Sequence, residues 1–482
     1  PVNRDRPRIA RLPAGELHAV GATGLETASM VRYLVEGGRE DIVLHDLSAD
    51  VEAAFHAAHR LQPADHRDRS WAALTRCRDL RTGAEHLAGV GSAAAILVPV
   101  SWFLHPANDR LRAMRDRFVT YPDACFDLWP GPVAGISGSV GKTTTARFTA
   151  ALAGSVFCGN DREAFSDLGA LARQPAERLM AFEASNRHLW NGWDRVLDVG
   201  VLTGIALNHE PDHGSFAAYR EAKYSLADRC HSFVLHAGIA RAYPDAAGAA
   251  ARGASYGSGG DWHLAGDTGH GPGGRTFALP GAADLPGPDR DDALAAAVAA
   301  LLCGVPAAEI EARSRALADA APRYRRTARR LAGRLVVNDS ASCMPASTAA
   351  LVGAMAERFV LICGGDRQRY RPGEFDALAA AVAASPHAAL VCTTGPMAGH
   401  LERALCAAGF DALARCTGIP DAVDRALGVA EAAVVFSPGC GTGSLFLDKY
   451  ERGESFDDAV SARTSGVPEA DGAVVPDGEA AP

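Results

Sequence analysis

Apolar residues fall along this chain in short, nearly unbroken runs separated by turn residues and Ala-rich stretches, the pattern of strands buried on both faces. Residues 16–46 show the repeating unit most plainly. ELHAV (16–20) reads as a strand and GATG (21–24) as a turn; LETASMVRYLVEGG (25–38) then places Met30, Leu34 and Val35 at helical spacing before a second strand, IVLHD (42–46). Another apolar run, AAAILVPVSW (93–102), precedes a Pro-rich boundary, DLWPGP (127–132). A second unit opens with PVAGIS (132–137) and the helical stretch KTTTARFTAALAG (142–154). It continues through RLMAFEAS (178–185), VLDVGVLTGIAL (196–207) and an Ala-rich helix around 290–303, with the Gly/Pro/Asp-rich stretch 257–292 read as surface hairpins and loops. A third unit begins near Pro322, where strands RLVVND (334–339), RFVLICGG (358–365), AALVCTT (388–394) and AAVVFSP (432–438) alternate with Ala-rich helices. Such alternation predicts parallel sheets and an α/β fold. The expected division is 1–128, 129–321 and 322–464, followed by a tail at 465–482 whose Gly, Pro and acidic content predicts disorder.

A length of 482 residues fits two to four domains at about 100–200 residues each. With 48% apolar and 22% charged residues the chain is globular rather than disordered. Its net charge of −9 removes the basic surplus that nucleic-acid binding needs. No apolar run is long enough for a membrane span, and PVNRDRPRIARL lacks the apolar core of a signal peptide, so a cytoplasmic protein is expected. The 11 cysteines form no C-x-x-C pair, which fits a reducing compartment and argues against a zinc site. Among 48 basic residues only Lys142, Lys223 and Lys449 are lysines. A chain that uses arginine for generic charge keeps a lysine where its amine chemistry matters.

Lys142 has an evident reason to be a lysine. GISGSVGKTTT (135–145) misses the strict G-x-x-x-x-G-K-[ST] pattern but keeps its core, G-x-x-G-K-T-T. Gly138, Ser139 and Gly141 can turn backbone N–H groups toward an anion, and the following helix N-terminus adds a favourable field. Lys142 would then reach the terminal phosphates of a nucleotide, with Thr143 on Mg²⁺ and Thr144 beside it. The competing reading is a tight glycine turn between strand and helix.

Together with the segments downstream of it, this loop resembles that of the Mur ligases, ATP-dependent amide-forming enzymes of bacterial cell-wall synthesis, whose loop reads roughly G-I-T-G-T-N-G-K-T-T-T. The nearest branch adds glutamate to UDP-N-acetylmuramoyl-L-alanine. Thr203 to Lys223, TGIALNHEPDHGSFAAYREAK, parallels the family's T-N-I-x-x-D-H-L-D-x-H-G-S…Y-x-x-A-K with the same interval from His209 to Lys223. The resemblance implies that Lys223 carries a carbamate from CO₂ or bicarbonate and, with His209, holds a second Mg²⁺; the alternative is a solvated helix lysine. Phe182-Glu183-Ala-Ser185 resembles E-x-S-S, with Glu183 on the first Mg²⁺ beside Thr143 and Ser185 toward substrate. Asn160 falls at the family's G-N-I-G substrate loop, where Asp161-Arg162 replaces I-G. Asp339 matches an N-D-S strand end that contacts nucleotide, Pro438-Gly-Cys440 resembles P-A-C, and Tyr450-Glu-Arg452-Gly453 sits like E-x-R-G. Gly21 to Gly24 and Asp46 are compatible with UDP binding, although the usual S-P-G is replaced by Val100-Ser101-Trp102.

Departures cluster at the acceptor pocket. K-A-T-N after the family's D-S becomes Ala341, Ser342, Cys343 and Met344; Arg367, Gln368 and Arg369 stand where a lysine is expected; Thr442 replaces a serine. Cys343, Gln368 and Thr442 are therefore candidate substrate contacts, and fewer cationic and hydroxyl donors weaken the reading of a dicarboxylate. Pro345-Ala-Ser-Thr348 resembles a run in a branch that adds L-glutamate. At the nucleotide base, Asp289 and Asp292 replace the amides of H-N-x-x-N. The resemblance implies three domains: an N-terminal Rossmann-like domain for the acid substrate, a central P-loop ATPase-type domain, and a C-terminal Rossmann-like domain for the amine. It implies an ATP-dependent carboxylate–amine ligase working through an acyl phosphate with two Mg²⁺. Its partners are a small carboxylate, UDP-linked or free, and an amino acid or other amine; a monomer with no nucleic acid or membrane partner is expected. The alternatives are the D- or L-glutamate ligase of peptidoglycan synthesis, a P-loop kinase or ATPase, and a non-catalytic nucleotide-binding relative.

Overall fold

The computed structural model describes residues 6–163, 167–206, 213–243, 253–283, 285, 287–331, 333–366, 373–464 and 469–471. The chain divides into two compact units, residues 1–320 and 321–482.

The first unit holds three sheets. β1 (Leu17–Val20), β2 (Ile42–His45), β3 (Asp79–Arg81), β4 (Ala95–Val98) and β5 (Phe118–Thr120) form a sheet of order β3-β2-β1-β4-β5 in which every pairing is parallel. All four residues of β1, β2 and β4 are buried, so the unbroken apolar runs reflect a sheet covered on both faces. The second sheet contains β6 (Val133–Ser137), β7 (Val156–Gly159), β8 (Met180–Glu183), β9 (Leu197–Leu202), β10 (Cys230–His236) and β11 (Gly253–Tyr256). Its order is β11-β10-β9-β6-β8-β7, again wholly parallel. One buried cluster runs through both sheets, joining Leu17, Leu97, Tyr121 and Phe126 to Met180, Phe182, Trp193 and Leu202. The hairpin-rich stretch contains a small antiparallel meander of β12 (His263–Ala265), β13 (Thr268–His270) and β14 (Thr276–Ala278). It leads to the Ala-rich helix Gly287–Leu302, which packs on the helix Lys142–Ala153.

The second unit is built on seven strands: β15 (Thr327–Leu331), β16 (Arg334–Asn338), β17 (Phe359–Gly364), β18 (Ala388–Thr394), β19 (Leu413–Arg415), β20 (Ala433–Phe436) and β21 (Glu469–Asp471). Their order is β19-β18-β17-β20-β16-β15-β21, parallel except where β15 meets β16 and β21. Glu469–Asp471 thus pair as a strand inside the stretch expected to be a disordered tail. Separate buried layers around Leu361 and Ile362 cover the two faces of this sheet.

Candidate active site

The carboxyl ends of β6, β8 and β9 converge on the phosphate loop. β6 ends at Ser137, and the helix Lys142–Ala153 starts with Gly141 as its N-cap at φ +83°. The loop has no space for side chains at two positions. A Cβ on Gly138 would overlap Thr203 Oγ1, and one on Gly141 would overlap Asp292 Oδ1. Thr203, from the end of β9, clamps the loop by donating its hydroxyl to the Val140 carbonyl at 2.5 Å. Ser139 N–H donates to the Gly204 carbonyl at 2.7 Å, and Ser139 Oγ pairs with Tyr219 OH at 2.8 Å. Burial pushes the Tyr219 phenol up to about 12, so it stays a neutral hydrogen-bond partner.

Lys223 lies in the helix Phe216–Tyr224 and is 1% exposed. Its Nζ donates to Ser137 Oγ at 3.0 Å and to the Gly138 carbonyl at 3.1 Å. Burial, and then the charge of Lys142, hold this amine well below its usual range against the opposing pull of Glu183. A neutral amine uses both hydrogens on these two acceptors and keeps its lone pair. That is the state an amine needs to add to CO₂.

Glu183 ends β8, is 1% exposed, and accepts Asn160 Nδ2 at 3.3 Å on Oε1; its buried Oε2 has no hydrogen-bond partner. Thr144 Oγ1, on the first turn of the phosphate-loop helix, is likewise buried without one. An orphaned carboxylate oxygen beside a phosphate loop fits a hard, oxygen-preferring cation such as Mg²⁺. Among the described residues no three His, Cys, Asp or Glu side chains cluster as a metal site, and His209 lies outside those residues.

Gly138, Ser139, Lys142, Asn160, Ser185 and Lys223 come together around one cleft. Asn186, Arg187 and Tyr219 complete its wall, and none of them was among the predicted contacts. Their signal was local: Asn186 and Arg187 follow Ser185 directly, and Tyr219 sits one helical turn before Lys223. Asp292 lies on the Ala-rich helix Gly287–Leu302. It accepts Thr145 Oγ1 at 3.0 Å and backs the phosphate loop at Gly141, while Asp289 lies buried one turn earlier on the same helix.

In the second unit, Asp339 is buried at the end of β16. Its Oδ2 accepts Ser437 Oγ at 2.7 Å and its Oδ1 accepts Arg326 N–H at 3.2 Å; burial raises its pKa. Arg452, missed although its motif was read, is 2% exposed and lies beside Cys343. Its guanidinium donates to the carbonyls of Ser340, Cys440 and Gly441 and to Ser340 Oγ, all within 3.1 Å. Cys343 is exposed, Thr442 is half-buried next to Gly441, and Gln368 lies outside the described residues.

No protein-family model matches the chain. In sequence it is similar to the UDP-N-acetylmuramoylalanine–D-glutamate ligase of Symbiobacterium thermophilum, at 27% identity over 369 residues covering 70% of this chain and 76% of that one. In structure it is similar to the UDP-N-acetylmuramate-alanine ligase MurC of Thermotoga maritima, with TM-score 0.60, 14% identity, and coverage of 93% of this chain and 99% of that one. It is also similar to the MurF ligase of Thermotoga maritima in complex with ADP, with TM-score 0.54, 16% identity, and coverage of 88% and 96%. In sequence and in α/β architecture, the chain is similar to the Mur ligases.

Proposed function

We propose that this chain joins a carboxylic acid to an amine at the expense of ATP, through an acyl phosphate. The observation that carries the reading is Lys223: a buried amine whose Nζ donates to Ser137 Oγ and to the Gly138 carbonyl of the phosphate loop, with the orphaned Glu183 carboxylate nearby. A plain nucleotide-binding turn has no use for either group.

In this reading the substrate carboxylate, held in the cleft by Asn160, Asn186 and Arg187, attacks the γ-phosphorus of ATP. A C–O–P bond forms, the bridge to the β-phosphate breaks, and ADP leaves. Lys142 and the loop N–H groups offset the charge on the transferring group. Glu183 and Thr143 would hold Mg²⁺, which supplies further positive charge there; His209 and a Lys223 carbamate are assigned to a second ion. The lone pair of Lys223 bonds to the carbon of CO₂, and the proton lost passes to solvent. An amine then attacks the acyl carbon, phosphate departs, and the amine proton is released, so no side-chain nucleophile is needed.

Two features favour specialised substrates over ordinary glutamate addition: the altered run Ala341 to Met344, and the engagement of Arg452 by backbone carbonyls and Ser340. The similarity to D-glutamate ligases over 70% of the chain favours the second reading, glutamate addition to a UDP-linked acid. We assign the activity to the cytoplasm; no described helix is long and apolar enough to cross a membrane. The test is ADP and phosphate release from Mg·ATP with bicarbonate, crossing acids against amines, with mass spectrometry of the products. An amide formed in step with ADP supports the ligase. ADP release indifferent to every amine would make the chain an ATPase, if phosphate appears with it, or a kinase, if it does not.

A further inference from the structure

In a parallel sheet of order β3-β2-β1-β4-β5 the connections reverse direction between β1 and β4. A nucleotide bound to such a sheet lays its diphosphate over the strands' carboxyl ends at that point, against the N-terminus of the first helix. In this chain the Glu26 carboxylate occupies that place. The helix Leu25–Glu36 carries Glu26 in its first turn. Glu26 Oε2 accepts the N–H of Val100, just past β4, at 2.7 Å, and Oε1 pairs with His188 Nε2 at 3.2 Å. His188 Nδ1 accepts Ser185 N–H at 3.0 Å, so Nε2 carries the hydrogen and donates to Glu26.

The Val100 N–H, just past the carboxyl end of β4, is thus held by the chain's own carboxylate. An incoming diphosphate meets this carboxylate where it needs positive charge. The space is filled as well. Trp102 is 1% exposed and donates Nε1 to Asn191 Oδ1 at 2.9 Å, while Asn191 Nδ2 donates to the Val100 carbonyl at 2.8 Å. The segment after β4 is stapled by these bonds to the helix Asn186–Asn191, beside the cleft.

We propose that the acid substrate carries no nucleotide diphosphate: it is a free carboxylic acid recognised wholly at the cleft beside the phosphate loop, and the first sheet serves as a buttress for that cleft. This rests on the ligase reading for there being an acid at all, but the closed crevice is a property of the fold alone.

The test is calorimetric titration of the full chain with Mg·AMP-PNP, UDP and UDP-N-acetylmuramoyl-L-alanine. The expected result is one-to-one binding of AMP-PNP, lost in Lys142→Ala, and no saturable heat from either uridine compound once AMP-PNP is saturating. Uridine heat that AMP-PNP abolishes is diphosphate competing at the phosphate loop, and supports a closed crevice. Saturable one-to-one uridine binding that persists with AMP-PNP bound overturns the proposal. Failure of AMP-PNP itself to bind would sink the ligase reading instead, while the uridine titrations would still report on the crevice.

Discussion

Lys223 and Lys142 line the same cleft from two different helices but do opposite work. Lys142 stands at the helix start, where its charge is useful; Lys223 is buried where its charge is suppressed. Lys223→Arg should therefore abolish ligation, by about 100-fold or more as when a preorganised charge partner is removed, because guanidinium neither loses its proton nor forms the carbamate. Lys449→Arg, whose ammonium lies over the Tyr450 ring in the second unit, should leave turnover unchanged. Amine-dependent phosphate release, with circular dichroism to verify folding, distinguishes the two; equal activity in Lys223→Arg would remove the chemical reason for that lysine. Gly141 offers a second test. Alanine there combines an unfavourable φ of +83°, costing about 1–2 kcal/mol, with a Cβ that overlaps Asp292 Oδ1. Loop displacement worth ~1.4 kcal/mol gives roughly tenfold weaker AMP-PNP binding, measurable by titration.

Between elements, β1 and β2 hide a pair that periodicity does not reveal. His18 Nδ1 and His45 Nε2 are 2.8 Å apart, both side chains wholly buried. Leu87 N–H donates to His45 Nδ1, so His45 Nε2 carries the hydrogen and donates to His18. His18 Nε2 then donates to Glu16, itself paired with Arg78. A proton added at the shared contact would set two N–H groups face to face. Burial, with the neighbouring His18 charge next, lowers His45 to about 3; burial also lowers His18 despite Glu16. Unfolded histidine takes its proton near pH 6.5, so the unfolded chain binds more protons below that pH. Stability is present above it and falls as pH falls. At pH 5 His45 alone should cost about 2 kcal/mol, seen as a lower urea midpoint for the first unit, with His59, pushed to about 4 by burial, adding in the same direction. His45→Gln should flatten that slope; an unchanged slope would place the acid sensitivity elsewhere. The strands themselves were legible because runs such as LHAV and IVLH are buried on both faces. The pairing was not, since an unbroken apolar run carries no register signal and conceals polar side chains that satisfy one another across strands.

At the scale of the whole molecule, the site was legible where its chemistry is contiguous in sequence and obscure where the fold assembles it. The phosphate loop, Glu183 and Lys223 each announce themselves within a short motif. Arg452 and the Glu26–His188 contact depend on segments over 100 residues apart. The same assembly determines how residues 1–320 should respond to damage. The expected domain boundary lies at the Pro-rich stretch 127–132; one buried cluster runs through both large sheets, and Asn191 ties Trp102 and Val100 of the first to the helix beside the cleft. Asn191→Ala leaves the Trp102 indole N–H and the Val100 carbonyl buried without these partners, a penalty of about 1–3 kcal/mol for each group. If the unit unfolds cooperatively, that loss is shared. Hydrogen exchange should accelerate by a similar factor at amides of β1 and β4 and at those of β6 and β8, while the core strands β17 and β20 keep their wild-type rates. Faster exchange confined to β1–β5 would show that the first sheet opens alone, and the buttress under the cleft would then be a separable module.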